Sequence, residues 1–155
     1  MSKEMSHRIS AGAIVEREER LLLVHHKKAG HYDFWVSPGG GVKGEESLHE
    51  AAIREVREET GLNISTSRLL YIEEFFNPEC RYLKFWFAGH YVGGEIDINH
   101  PEARAEHIVD AAWCRRDELA GKTVFPTIIT ERYWSDRTGG FDAPIHLPLK
   151  KMTLW

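Results

Sequence analysis

The segment from Gly40 to Leu62 constrains this chain more than any other. Three glycines in a row, Gly39, Gly40 and Gly41, are followed by Gly44, and then by fourteen residues from Ser47 to Thr60 without Gly or Pro. Those residues are strong helix formers. Ser47 and Glu50 have the spacing of a capping box, which sets the start, and Gly61 has the C′ position, which sets the end. The helix so defined carries Glu55 and Glu59 at i, i+4, with Glu58 three residues from Glu55, so three carboxylates crowd within about one turn. At 100° per residue, Leu48, Ala51 and Ala52 fall on the face of Glu55 and Glu59, with Val56 beside them. The acids therefore continue the stripe that packs on the rest of the fold.

Partly buried carboxylates need a counter-charge. Arg54 is four residues before Glu58 and one before Glu55; one guanidinium cannot cancel three acids, and its expected role is to orient one or two of them through bidentate hydrogen bonds. A divalent cation held by oxygen ligands supplies the rest, and magnesium is the hard-ion choice. Glu46, at the mouth of the helix, is a further ligand or a hydrogen-bond partner. The glycine loop lets the backbone approach closely, so that a carbonyl near Gly40 is a further ligand. The competing reading is an acidic surface helix laced with Arg–Glu pairs. The loop need not cradle phosphate as a P-loop does, and no GxxxxGK[ST] pattern is present.

The flanks read as strands. Ile9 to Val15 and Leu21 to Val24 form a hairpin across the charged turn Glu16 to Glu19, and His25 to Tyr32 is a polar loop before the short apolar piece Phe34 to Val36. After the helix, Leu69 to Phe76 and Tyr82 to Val92 are long aromatic and β-branched strands joined through Asn77-Pro78-Glu79. Gly93 to Arg104 is a loop, Ile108 to Cys114 a last strand, Arg116 to Ala120 a helical turn, Thr127 to Trp134 a final helix, and the tail from Thr138 is irregular. Strands, helix, strands, helix is the order of an α/β fold, a mixed sheet with helices packed on it.

At 155 residues with 42% apolar content, the chain makes one domain, residues 1–155, with core enough to fold unaided. A net charge of -4 lacks the broad basic surface of a nucleic-acid binder. Cys80 and Cys114 are in no CxxC pair, so zinc is not indicated, and with no leader or membrane-spanning run the chain reads as reduced and cytoplasmic. Met1 to Ser10 is polar, with Lys3, Glu4, His7 and Arg8.

Taken together, Gly40, Glu46, Arg54-Glu55-Val56, Glu58-Glu59 and Gly61-Leu62 match Gx5Ex7REUxEExGU at every fixed position, and the chain resembles the Nudix hydrolases. A chance match at a given start is on the order of one in a billion at average residue frequencies. Trp35 and Pro38 before the box, and Trp113 with the Arg116-Asp117-Glu118-Leu119 turn after it, extend the likeness. The resemblance implies an α/β/α sandwich around a mixed sheet. It also implies that Glu55, Glu58 and Glu59 bind magnesium or manganese (Mg2+ or Mn2+), supported by Arg54 and Glu46. Water then attacks a phosphorus of a diphosphate in a small-molecule nucleotide. Relatives of this kind often draw the general base from a loop after the box, which favours Glu106, with Glu102 in the same loop and Glu58 as the rival.

Pro78 lies 16 residues after Leu62, a spacing that resembles the ADP-ribose-cleaving branch; the other reading is a plain turn. The favoured substrate is ADP-ribose or a nucleotide-sugar-like molecule. A nucleoside triphosphate, an RNA 5′ end, or a non-catalytic nucleotide-binding module are the alternatives. Tyr32, Phe34, Trp35, Phe75, Phe76 and Trp86 are candidates to stack on a base, and His25, His26, Lys27 and Lys28 form a basic loop edge that meets a phosphate or is merely solvated. The aromatic strand Tyr82 to Tyr91 is either a homodimer interface or core.

Overall fold

In the computed structural model, which describes residues 4–152, β1 (Ser6–Arg17) turns at Glu18 and Glu19 into β2 (Arg20–Lys28). Lys3 and the outer ends of the expected domain lie outside the described residues. Only the turn end of this hairpin is paired, through Glu16 with Leu21 and Arg17 with Arg20. Beyond it the two strands part and recruit different neighbours. β1 pairs in parallel from Ser6 to Val15 with β6 (Cys80–Gly93), which pairs with β5 (Asn63–Phe76), and from Ser10 to Gly12 with β4 (Gly39–Gly41). β2 pairs along Arg20 to His26 with β7 (Ile108–Arg115) and along Val24 to Lys28 with β3 (Tyr32–Val36). The mixed sheet therefore splits into two wings that share β1, and the divergence opens a cleft between them. Short strands complete the wings: β8 (Val124–Phe125) on β3, and β9 (Ile145–His146) and β10 (Lys150–Lys151) on β5.

Period-two alternation decides what covers each face. Ala13 and Val15 of β1 and Leu22 of β2 face one way, and pack with Val56, Leu62 and Ile64. Ile14 of β1 and Leu21 and Leu23 of β2 face the other, and pack with Ile128, Ile129 and Tyr133. The first face carries α1 (Leu48–Thr60); the second carries α3 (Ile128–Glu131) and α4 (Tyr133–Gly139). The result is the expected α/β/α arrangement around a mixed sheet. A further short helix, α2 (Pro101–Ala105), precedes β7, and a single 3-10 turn, Arg116–Leu119, follows it.

Helix α1 begins and ends where its sequence dictates. Ser47 Oγ accepts the Glu50 N–H at 3.1 Å, and the Glu50 carboxylate accepts the Ser47 N–H at 2.7 Å. Gly61 sits at φ 77° and its N–H donates to Arg57 O. A Cβ there would meet Glu95 O and Asp97 N at 2.9 Å, so both conformation and space demand glycine.

Four local expectations change. His25 to Lys28 is strand, not loop, because β2 finds partners on both sides, in β3 and β7. The glycine run is not free loop either: it forms β4, pairing with Ser10, Ala11 and Gly12. A Cβ at Gly12 would lie 2.5 Å from the Trp86 ring and 2.6 Å from Pro38 O, which is why the backbones can come this close. The final helix breaks at Arg132 (φ -145°) into α3 and α4. The segments expected to be irregular hold α2, β9 and β10, whose two to five residues leave too little periodicity to read.

Candidate active site

Helix α1 presents the box acids to the cleft. Of its buried residues, Glu55 is 5% and Glu59 1% exposed, alongside Ala51, Ala52 and Val56. The carboxylates do continue the packing stripe. Arg54 gathers most of them. Its Nη2 and Nε grip Glu46 at 2.6 and 2.9 Å, its Nη1 donates to Glu55 at 2.8 Å and Glu58 at 3.1 Å, and Nη2 also reaches Gly41 O at 3.0 Å. The two-pronged grip goes to Glu46, not to the helix acids, because Glu46 sits at the helix mouth where it meets the guanidinium edge-on. That grip holds the Glu46 carboxyl down to about 2, and the surrounding acids raise Arg54 above its ordinary value. The absent side chain of Gly40 makes room for Glu55: a Cβ there would lie 2.6 Å from the Glu55 carboxyl.

Among the described residues, Arg54 makes no hydrogen bond or ion pair to Glu59. Glu59 accepts the Gly39 N–H at 3.1 Å, and faces Glu106 and His26; one ligand atom from each of these three residues lies within 4.8 Å of the other two. Burial pushes the Glu59 carboxyl well above the usual range, and the Glu106 and Glu55 charges add to the effect. Burial raises Glu106 as well, with Glu55 and Glu102 contributing. Glu106 reaches this place because the α2–β7 corner is tied down on β2. His26 Nδ1 meets Glu106 O at 3.1 Å, Lys27 N–H donates to His107 O at 3.0 Å, and His107 turns the chain at φ 58°. His26 stacks on Phe34 with ring centroids 5.1 Å apart, and burial lowers its pKa to about 4.

The cleft beside this group holds a cavity of about 610 Å3, within the range of small-molecule sites. Its floor follows from register. Arg8 is aligned with Tyr82 and Tyr82 with Phe75; one pleat along, Ser10 is aligned with Lys84 and Lys84 with Glu73. Phe75 and Tyr82 stack at 5.0 Å, and Lys84 Nζ lies 4.7 Å from the Trp86 ring centroid. Neither Arg8 nor Lys84 forms an ion pair among the described residues. A second cavity of about 810 Å3 on the α1 side shares Arg8 and Glu106 with the first. The Ser37 hydroxyl, 2% exposed and without a hydrogen-bond partner among the described residues, borders the first cavity.

Of the candidate stacking aromatics, Tyr32, Phe34, Phe75 and Trp86 line the cleft, and Tyr82 and Phe125 join them; Trp35 and Phe76 point elsewhere, as alternation requires. Asn77 Oδ1 accepts the N–H groups of Glu79 and Cys80, so Asn77-Pro78 forms a tight turn on its own chemistry. By sequence, His26 belongs to a basic loop edge that meets a phosphate or is solvated, Arg8 to a polar N-terminal stretch and Lys84 to an aromatic strand, and none of the three is marked as facing the box acids. The available signal was alternation: Arg8, Ser10 and Gly12 share one face of β1, as Tyr82, Lys84 and Trp86 share one face of β6.

A family model described as the NUDIX domain matches residues 6–133. This chain belongs to the Nudix family. A solved Nudix hydrolase from Nitrosomonas europaea superposes with a TM-score of 0.72 at 26% identity, covering 86% of this chain and 90% of that one. Among curated Nudix relatives, the ADP-ribose pyrophosphatase of Methanocaldococcus jannaschii is 29% identical over 63% of this chain and 59% of its own length. The 8-oxo-dGDP phosphatase NUDT18 of Danio rerio is 32% identical over 72% of this chain and 33% of its own length. The chain thus spans between a third and three-fifths of these curated relatives. No helix among the described residues is long and apolar enough to cross a membrane.

Proposed function

We propose that this Nudix chain is a diphosphatase that depends on a divalent metal and acts on a nucleoside diphosphate linked to a second moiety, ADP-ribose or a nucleotide sugar being the favoured class. One observation carries the reading: a group of acids with a single guanidinium among them opens onto a cleft furnished with aromatic rings and with two cations, Arg8 and Lys84, that form no ion pair among the described residues. The donor set suits magnesium or manganese. It is made of carboxylate oxygens and, at Gly40, a carbonyl on a strand with no side chain in the way. In this reading Glu55, Glu58, Glu59 and the Gly40 carbonyl hold the cation, while Arg54 and Glu46 fix the helix acids in place. The bound ion supplies charge neutralisation at the diphosphate oxygens and a more acidic water.

The remaining work falls to the chain. Arg8 and Lys84, in no ion pair among the described residues, hold the diphosphate from the sheet side. Tyr32, Phe34 and the Phe75–Tyr82 pair offer ring faces to a base or sugar. Water adds to a phosphorus, the bridging P–O bond breaks, and the bridging oxygen leaves with the other phosphate. Glu106 takes the proton from water; burial raises its proton affinity toward that task. Glu58 is the weaker candidate because Arg54 already engages its carboxylate at 3.1 Å. The name of the Methanocaldococcus jannaschii relative supports the ADP-ribose class.

The test is phosphate release with a coupled phosphatase on ADP-ribose, nucleotide sugars, dinucleoside polyphosphates and nucleoside triphosphates, each with Mg2+, Mn2+ or EDTA. Metal-dependent turnover of ADP-ribose or a nucleotide sugar is expected. Turnover of triphosphates alone would replace the substrate class. No turnover by folded, metal-loaded protein would leave a nucleotide-binding module.

A further inference from the structure

We infer that His26, Glu59 and Glu106 form a second cation site that includes nitrogen, beside the oxygen-only set on α1, and that this site selects a first-row transition ion such as Mn2+, Fe2+ or Co2+ over Mg2+. The inference rests on reading α1 as a metal-binding helix, but not on any substrate. Three observations support it.

The first is charge. Arg54 engages Glu46, Glu55 and Glu58, and no described hydrogen bond or ion pair takes it to Glu59. Glu59, 1% exposed, faces Glu106 with neither carboxylate in an ion pair among the described residues. A buried carboxylate faced by a second one, with the Arg54 guanidinium committed elsewhere and Arg8 and Lys84 acting on Glu106 only through space, calls for a cation between the two or a proton on one of them.

The second is the imidazole. His26 Nδ1 lies 3.1 Å from Glu106 O, and a carbonyl oxygen can only accept, so Nδ1 carries the hydrogen. The lone pair is then on Nε2. A ring nitrogen hydrogen-bonded to a backbone carbonyl, with the other left free, is the usual posture of a histidine that ligates a metal. Stacking on Phe34 fixes the ring plane.

The third is assembly. His26 and Glu106 are 80 residues apart, and the fold spends several bonds on bringing them together. The Lys27 N–H to His107 O bond, a register shift between His25 and His26, and the positive φ of His107 all act at this one corner. One ligand atom from each of the three residues already lies within 4.8 Å of the others, so a small contraction completes the set. Imidazole nitrogen is a poor ligand for Mg2+ and a good one for the later divalent ions, which gives the site its selectivity. Each carboxylate has two oxygens, so a ligating Glu106 keeps one as a proton acceptor.

The experiment uses the whole chain and Mn2+ alone. Bound Mn2+ is counted by room-temperature EPR, and nitrogen ligation is read by pulsed EPR as 14N coupling, in protein with natural-abundance or 15N-labelled histidine. The expected result is a 14N coupling that changes to 15N with the label, disappears in His26→Gln, and survives in the control His25→Gln. His26→Gln and Glu106→Gln should each bind one Mn2+ fewer, and a tenfold excess of Mg2+ should displace the uncoupled ion before the coupled one. Thermal melts establish that the variants are folded; the labelled parent carries the test if His26→Gln is not. Mn2+ bound without nitrogen coupling would overturn this inference and leave the α1 site standing. Coupling that persists in folded His26→Gln would assign the nitrogen to another residue and also overturn it. Absence of any bound Mn2+ would remove both sites.

Discussion

Replacing Arg54 by Met keeps the length of the side chain and removes its charge and every donor. Arg54 makes five hydrogen bonds, four of them to carboxylate oxygens between 2.6 and 3.1 Å, with its own side chain 17% exposed. Bonds to charged groups contribute about 1.5–3 kcal/mol each. Four such bonds would rival the whole stability of a domain, about 5–15 kcal/mol, so they cannot simply be added. Glu46 and Glu58, each 16% exposed, recover some water when the guanidinium leaves; Glu55, at 6%, recovers little. The net loss expected is that of stripping one partner from a buried ion pair, about 3–5 kcal/mol. Arg54→Lys keeps the charge but cannot span Glu46, Glu55, Glu58 and the Gly41 carbonyl with a compact ammonium, and should lose about 1–2 kcal/mol. The assay is urea unfolding followed by circular dichroism in EDTA at pH 7.5, with the slope checked for constancy. Excess Mn2+ should recover part of the Arg54→Met loss, since a cation among the acids replaces the missing charge. An Arg54→Met midpoint within about 1 kcal/mol of the parent would refute the view that this guanidinium holds the acids together.

Glu59→Gln removes a proposed ligand without changing size, and should keep the melting temperature while lowering turnover roughly 100-fold or more at saturating Mg2+; parental turnover would exclude the metal role. Gly40→Ala places a methyl 2.6 Å from the Glu55 carboxyl, and should lower both stability, by about 1–3 kcal/mol, and metal affinity in a calorimetric titration; an unperturbed titration would mean that the Gly40–Glu55 approach does not shape the site. His26, whose pKa burial lowers from 6.5 to about 4, gives the fold a pH dependence of known sign. Between those values the unfolded chain binds the extra proton, so this contribution to stability is full above pH 6.5 and is lost as pH falls toward 4. Urea midpoints of the metal-free parent and of His26→Gln, measured from pH 7.5 to 4, should converge at the acid end; parallel curves would mean that His26 is not held neutral by the fold.

The sequence alone determined α1 and what it carries. Capping at Ser47 and Glu50, termination at Gly61, and the burial of Glu55 and Glu59 beside Ala51, Ala52 and Val56 all follow from offsets of three and four residues on one helix. The main strands were legible for the same reason, because a period of two is a local property. Tertiary structure decided the rest. That Arg54 would grip Glu46 in two-pronged fashion depends on where the glycine strand turns, and that strand exists only because Ser10, Ala11 and Gly12 lie beside it. That Phe75 would face the cleft and Phe76 would not depends on the register of β5 on β6. His26 meets Glu106 across 80 residues through a register shift and a left-handed turn, features set by strand pairing between distant parts of the chain. Local periodicity is written in neighbouring residues and survives in the sequence; register between distant strands is settled by the packing of the whole, which is why the helix of this site was visible and its opposing wall was not.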